Sequence, residues 1–122
     1  MKIIQAGPHR ILDFLTVIAF ALAPVLFGLS GAPAMLSYAL AAVHLVLTMA
    51  TQYSPLARGV VPFPVHGTIE IIVGVALGLL PFIAGWTDNA RTFYLVTAAV
   101  FVVVWSLTDY RSSNGATQSH IS

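Results

Sequence analysis

The residues best suited to chemistry lie in two short stretches, H-R-I-L-D and H-G-T-I-E, each placed where a long apolar run begins. In each stretch a histidine precedes a carboxylate by four residues, so both side chains share one face of a helix. Two such pairs provide two imidazole and two carboxylate groups, a donor set suited to Zn, Mn or Fe. The candidate ligands of a metal ion or a polar ligand are therefore His9, Asp13, His66 and Glu70.

The same two pairs have a structural interpretation. A carboxylate in the first turn of a helix is stabilised by the positive end of the helix macrodipole, and a histidine four residues away can hydrogen-bond to it. At the edge of a membrane, the carboxylate also avoids most of the cost of a charge at mid-bilayer. The pattern therefore leaves three possibilities open, namely an interfacial structural network, a metal site, and a site for a polar ligand or a proton.

His44 is a further candidate because it lies ten residues into an apolar run at 34–51. A histidine within a membrane span is a functional candidate, for example as an axial ligand of a haem or chlorophyll. His9, His66 and His120 are expected near or beyond the membrane ends, so a second histidine at the depth of His44 would have to come from another subunit. The alternative is a neutral His44 that forms a hydrogen bond across helices.

Composition indicates a chain that is surrounded by lipid. Of the 122 residues 58% are hydrophobic and 7% are charged, and the mean hydropathy is +0.91. A soluble domain carries about 25% charged residues. The net charge of +1 gives no electrostatic basis for binding nucleic acid, and the absence of cysteine excludes disulfides and thiolate metal sites.

Four apolar runs, at about 11–29, 34–51, 67–84 and 91–108, are separated by stretches rich in glycine, proline and polar residues. At 1.5 Å per residue, about 18 residues give roughly 27 Å, close to the thickness of a hydrocarbon core. Backbone groups in lipid must be paired within their own segment, which requires helices. The prediction is an all-α integral membrane protein with four transmembrane helices in a single membrane domain, 1–122.

The chain contains an internal repeat at an offset of 57 residues. At this offset His9 aligns with His66 and Asp13 with Glu70, and the matched pairs also include Pro24 with Pro81, Gly28 with Gly85, Thr51 with Thr108, and Tyr53 with Tyr110. This predicts repeat 1 at about 9–53, a linker at 54–65, repeat 2 at about 66–110, and a disordered polar tail at 111–122. Each repeat is one helical hairpin.

An even number of spans per unit makes the two repeats parallel, related by a pseudo-twofold axis along the membrane normal. The histidine and carboxylate of each unit then lie at the same membrane face as the threonine and tyrosine that follow its second helix. Tyr53 and Tyr110 therefore join the candidate polar layer, although an aromatic belt at the membrane interface also accounts for them.

Basic residues are unevenly distributed among the predicted ends and loops. Lys2, Arg10, Arg58 and Arg111 fall at the amino end, the central connection and the tail, whereas the short hairpin loops hold only Arg91. By the positive-inside rule, both termini and the central connection face the cytoplasm. The polar layer is therefore predicted at the cytoplasmic face.

Each unit carries a proline late in its first helix, in A-P-V at 23–25 and L-P-F at 80–82, followed by a glycine and a short turn. This arrangement resembles the SPW repeat family of small bacterial membrane proteins, although the serine and tryptophan of the Ser-Pro-Trp motif match in neither unit. The resemblance implies a four-helix membrane protein. The predicted location is the bacterial inner membrane. It implies no catalytic residue.

The sequence contains no G-x-S-x-G, no HExxH and no Gly-rich phosphate loop. The leading hypothesis is therefore a structural or accessory membrane protein without catalysis or cofactor, which packs against itself or within a larger complex. A second hypothesis is a ligand-binding, metal-binding or transport module that uses the polar layer. A third is a membrane enzyme that depends on a divalent metal or haem.

Overall fold

The computed structural model describes residues 2–54 and 59–111. These form the helices α1 Ala6–Leu26, α2 Gly31–Ala50, α3 Phe63–Ala84 and α4 Asp88–Leu107. α1 packs along α2, and α3 packs along α4, so the chain forms two helical hairpins. All four helices are long and apolar enough to cross a membrane, with mean hydropathies between 1.6 and 2.1. The predicted all-α fold with four long apolar helices is confirmed. The predicted disorder at 112–122 and the role of Arg58 lie outside the described residues.

The first and third helices begin earlier than the apolar runs suggested, at Ala6 instead of 11 and at Phe63 instead of 67. Their first turns contain Pro8 and Pro64, which fit there because the amide hydrogens of a first turn have no partner within the helix. The periodicity missed these turns because they also contain polar residues and glycine. A helix that starts earlier places each candidate carboxylate deeper in the bundle.

The interpretation of Asp13 and Glu70 as first-turn carboxylates is therefore wrong. Each is the eighth residue of its helix, two turns from the amino end, and neither helix has an acidic residue in its first turn. The two carboxylates are only 2% and 6% exposed. The helix dipole acts within the first turn, so it does not explain these buried groups.

Pro24 and Pro81 lie in the last turn of α1 and α3, close to the end of each helix. The amides of Leu29 and Trp86 donate to the proline carbonyls at 2.9 and 2.8 Å, a six-to-one closure typical of a helix end. It requires a residue with positive φ, and Gly85 supplies it at 72°.

Two short backbone pairings connect the ends of the hairpins. β1, Thr51–Gln52, runs parallel to β2, Val61–Pro62, and a separate parallel bridge joins Ile4 to Thr108. Each pairing links the residue that follows one hairpin to the residues that precede α1 or α3. Thr51 and Thr108 are thereby held, 3% and 0% exposed, against the first turns of those helices.

Within the second hairpin, the G-V-A-L-G segment at 74–78 serves internal packing. A Cβ atom on Gly74 would lie 2.9 Å from the Cβ of Phe101, and one on Gly78 would lie 3.1 Å from the Cβ of Ala98. Small residues thus allow α3 and α4 to approach closely. This contact fixes α4 against the helix that carries Glu70.

Candidate metal centre

The structure brings the two opening stretches together into one buried cluster. His9 and His66 are both 0% exposed, and one donor atom from each of four side chains lies within 4.8 Å of the others. Within each helix the histidine Nε2 approaches the carboxylate four residues later, at 3.3 Å in α1 and 3.1 Å in α3. The cluster, called here the His/carboxylate centre, consists of His9, Asp13, His66 and Glu70.

Each imidazole also approaches the carboxylate of the other helix. His9 Nε2 lies 3.0 Å from Glu70 Oε2, and His66 Nε2 lies 3.2 Å from Asp13 Oδ2. Although each Nε2 has carboxylate oxygens on two sides, neither nitrogen makes a hydrogen bond of acceptable geometry. The imidazoles are therefore close to the carboxylate oxygens without being aligned for hydrogen bonds to them.

The opposite nitrogen of each ring is fixed by a threonine. Thr108 Oγ1 lies 2.9 Å from His9 Nδ1 and donates its single proton to the carbonyl of Val104 at 2.6 Å. The threonine oxygen must therefore accept a hydrogen bond, so His9 Nδ1 carries a proton. In the neutral ring, the lone pair is then on Nε2, the atom that faces the carboxylates.

The second histidine repeats this arrangement. Thr51 Oγ1 lies 2.7 Å from His66 Nδ1 and donates to the carbonyl of Leu47 at 2.6 Å. In neutral rings both Nε2 lone pairs would therefore face negatively charged oxygens, which is unfavourable unless a cation lies between them or each Nε2 carries a proton. An imidazole that donates its other N–H to a fixed acceptor is the usual orientation of a metal-bound histidine.

The dimensions of the centre agree with those of a metal site. Metal–ligand distances of about 2.0–2.1 Å place neighbouring ligands of a tetrahedral ion about 3.3 Å apart. The four nitrogen–oxygen distances between His9 or His66 and the two carboxylates are 3.0 to 3.3 Å. These distances use both Nε2 atoms and all four carboxylate oxygens, and one donor atom from each of the four side chains lies within 4.8 Å of the others. This size is close to that of a site for one small divalent ion. In the part of the chain that the structure describes, no lysine or arginine pairs with either carboxylate.

Tyr53 and Tyr110 hold the two carboxylates in place. Tyr53 donates to Asp13 Oδ2 at 2.6 Å, and Tyr110 donates to Glu70 Oε2 at 3.1 Å. Burial raises the pKa of both phenols, and the nearby negative carboxylate raises it further. Both phenols therefore remain protonated donors. The belt interpretation is wrong for Tyr53, which is 5% exposed and points into the bundle.

His44 joins the same cluster. Its Nε2 donates to Asp13 Oδ1 at 3.2 Å, so the predicted hydrogen bond across helices is confirmed. The expectation that His44 lies at a different depth from the other histidines is wrong, because its ring is centred 6.0 Å from that of His66. His44 precedes the end of α2 at Ala50 by six residues, or about 9 Å, whereas Asp13 follows the start of α1 by seven residues, or about 10 Å.

The position of Asp13 also argues against a haem between the clustered histidines. Its carboxylate contacts His44 on one oxygen and His66 on the other, each at 3.2 Å. This leaves no space between the two rings for a macrocycle. Of the two cofactors predicted for the histidines, a metal ion fits the geometry of the centre and a haem between His44 and His66 does not.

Several residues that support the centre were not identified as site residues from the sequence. Phe63, 1% exposed, places its ring 5.2 Å from His9 and 4.9 Å from Tyr110, measured between ring centres. Gly67 leaves room for the Tyr110 ring, since a Cβ there would lie 2.6 Å from a ring carbon. Among the residues that support the centre, only Thr51 and Thr108 could have been identified from the sequence, because they match each other at the repeat offset.

The contacts of the first hairpin recur in the second at an offset of 57 residues. The bond between Tyr53 and Asp13 corresponds to that between Tyr110 and Glu70. The contact between His9 and Thr108 likewise corresponds to that between His66 and Thr51. The correspondence fails at His44, whose equivalent is Phe101, so only Asp13 receives a second donor.

Fold and site together define a four-helix bundle whose apolar helices enclose a His/carboxylate centre. No protein-family model, curated protein or solved structure matches this chain. The resemblance to the SPW repeat family therefore stays a prediction.

Proposed function

We propose that this chain is a small multi-pass membrane protein that binds one divalent transition metal ion at the His/carboxylate centre. The observation that carries the proposal is the orientation of His9 and His66. Thr108 and Thr51 accept from the Nδ1–H groups, and the buried Nε2 atoms face carboxylate oxygens without forming hydrogen bonds. A metal ion supplies the positive charge that this arrangement requires.

Charge and ligand chemistry indicate which ions are suitable. Two neutral imidazoles and two carboxylates carry a total charge of −2, which a divalent ion neutralises. Nitrogen and oxygen donors without thiolate suit Zn²⁺, Mn²⁺ or Fe²⁺. Two protonated imidazoles would also balance the charge, but their Nε2–H groups would then be expected to point at carboxylate oxygens. The unaligned rings favour the metal.

The distribution of side chains supports insertion in a membrane. The buried set includes His9, Asp13, His44, His66 and Glu70, whereas large exposed side chains such as Val25, Val46, Ile72, Ile83 and Val103 are apolar. This pattern suits a bundle surrounded by lipid, in which polar groups face inward. We further propose that the two hairpins are parallel repeats, which the equivalent contacts at an offset of 57 residues support, and that the termini lie in the cytoplasm.

Membrane insertion and orientation are testable by cysteine labelling, because the chain has no cysteine of its own. Four single variants, Lys2→Cys, Ser30→Cys, Val60→Cys and Thr87→Cys, place an exposed thiol at each end of the bundle. In intact spheroplasts a membrane-impermeant maleimide is expected to label the variants at 30 and 87 and to spare those at 2 and 60. Equal labelling of all four, or recovery of the protein in the soluble fraction, would contradict the proposed topology.

Metal binding is testable by elemental analysis of the purified protein. We expect close to one equivalent of Zn, Mn or Fe in the wild type. His66→Ala removes one ligand and is expected to weaken binding by more than about 100-fold, beyond the effect of losing one supporting contact. Tyr94→Phe is the control, because Tyr94 is fully buried but bonds to Pro33 at the other end of the bundle. A metal-free wild type would refute the metal proposal and leave a structural His/carboxylate network.

The leading hypothesis from the sequence, an accessory subunit without catalysis, is compatible with a bound metal and stays a proposal. The exposed apolar faces of all four helices could contact lipid, a second copy or a larger complex. Metal binding is the narrower proposal, because particular atoms of the structure support it.

A further inference from the structure

Two grooves on the sides of the bundle lead to the His/carboxylate centre, and they differ sharply in size. The groove between α2 and α3 holds a cavity of about 40 Å³, lined in part by His44 and Glu70. The groove between α1 and α4 holds a cavity of about 250 Å³, lined in part by Asp13, Glu70 and Phe101. The two grooves occupy equivalent positions in the repeat, so a local substitution explains the difference.

The substitution is His44 in one hairpin for Phe101 in the other. His44 extends its Nε2 to within 3.2 Å of Asp13, so it fills its groove up to the carboxylate. Phe101 has no polar atom and packs against Gly74 and Phe20. Among the residues described on α4, none offers a donor to the centre, and the groove beside this helix stays open.

The open groove extends along the bundle beyond the centre. A second cavity of about 260 Å³ adjoins it and reaches Phe27. Phe27 lies eleven residues after Thr16, directly after the end of α1, so the groove extends about 16 Å along this helix. The combined space falls within the range of small-molecule sites. The residues that line both cavities are Thr16, Ala19, Val100 and Phe101.

We propose that this α1–α4 groove is a lateral binding site for a neutral, lipid-soluble molecule whose hydroxyl or carbonyl oxygen reaches the metal and whose hydrocarbon chain lies along the groove. The inference rests on the proposed metal site. Asp13 and Glu70 form the inner end of the groove, so an oxygen placed there lies beside the ion they bind. An ion held by four protein donors can accept a fifth.

The charge of the centre selects the class of ligand. A divalent ion with two carboxylates and two neutral imidazoles is already neutral, so an anionic head group would add an uncompensated buried charge. A neutral oxygen donor adds none. The apolar lining favours a chain, and the opening between two exposed apolar helix faces admits the molecule directly from the lipid.

The test uses the full-length protein loaded with Co²⁺ in lipid nanodiscs, because the visible d–d spectrum of Co²⁺ reports its coordination. Titration with 1-dodecanol is expected to shift the spectrum saturably, whereas dodecane, which lacks the oxygen, is expected to have no effect. Ala19→Phe fills the groove and is expected to weaken the response at least tenfold. Ala76→Phe, at the repeat-equivalent exposed position on α3, is expected to leave it unchanged.

The outcomes separate this proposal from the metal site on which it rests. If Co²⁺ binds but its spectrum does not change when 1-dodecanol is added, the groove proposal is wrong and the metal proposal stands. If ethanol at the same concentration acts as strongly as 1-dodecanol, the metal accepts small oxygen ligands without using the groove, and the groove proposal is again wrong. If Co²⁺ does not bind, both proposals fail.

Discussion

The double variant Asp13→Asn/Glu70→Gln is expected to lose divalent metal affinity by at least roughly 10³-fold, well beyond the 10–100-fold typical of losing one supporting contact. The amides preserve the size of both side chains and can still accept hydrogen bonds from Tyr53 and Tyr110. They remove both negative charges, however, so a divalent ion would carry an uncompensated charge of +2 in a buried site. Isothermal titration with Zn²⁺ measures the change.

The chain provides a matched control for this variant. Its only other acidic residues are Asp88, the first residue of α4, and Asp109, two residues after that helix ends, and both lie outside the centre. Asp88→Asn/Asp109→Asn makes the same change in total charge and is expected to retain wild-type affinity. Equal loss of affinity in both double variants would show that the ion responds to the overall charge of the protein instead of to the centre.

Removal of the metal is expected to lower the thermal stability of the wild-type protein substantially. A ligand present at 1,000 times its dissociation constant stabilises the folded state by about 4 kcal/mol. At roughly 4 °C per kcal/mol for a domain near this size, Tm should fall by about 15 °C or more. Without the ion, Asp13 and Glu70 remain buried without full charge compensation, which adds to the loss. Thermal unfolding in detergent, with and without 1,10-phenanthroline, measures the shift.

The control for this experiment is a protein with no metal to lose. The Asp13→Asn/Glu70→Gln variant is expected to unfold at the same temperature with and without the chelator. A wild-type Tm that is equally insensitive, in protein shown by elemental analysis to be metal-free, would mean that the centre is stable without an ion. The cluster would then be a structural network of histidines and carboxylates.

Much of the architecture could be read from the sequence because lipid imposes strong local constraints. A run of about 18 apolar residues must form a helix, since no other structure pairs its backbone groups within the segment. Proline and glycine at the repeat offset marked the ends of α1 and α3, because proline lacks a backbone N–H donor and glycine readily adopts a positive φ. The starts of these helices were missed because polar first turns, such as the one containing His9, interrupt the apolar pattern.

Part of the candidate site could be predicted from the internal repeat, and not from the constraints that lipid imposes. The repeat identified His9, Asp13, His66 and Glu70 because copied positions stand out at a fixed offset. The sequence places His44 at the wrong depth because its distance from the end of α2, and not from the start of the apolar run, sets its level in the bundle. Nothing local in the sequence relates the end of α2 to the interior of α1.

By itself, the sequence determined four apolar helices, their order, and the residue types able to bind a metal ion, because these follow from composition and spacing along one chain. Only the tertiary structure decided that both pairs meet, that Thr51 and Thr108 orient the imidazoles, and that one side groove is closed while the other stays open. These properties depend on which side-chain atoms the packing of the helices brings within about 3 Å of each other. Contacts between residues as distant in sequence as His9 and Thr108 are set by packing and not by spacing.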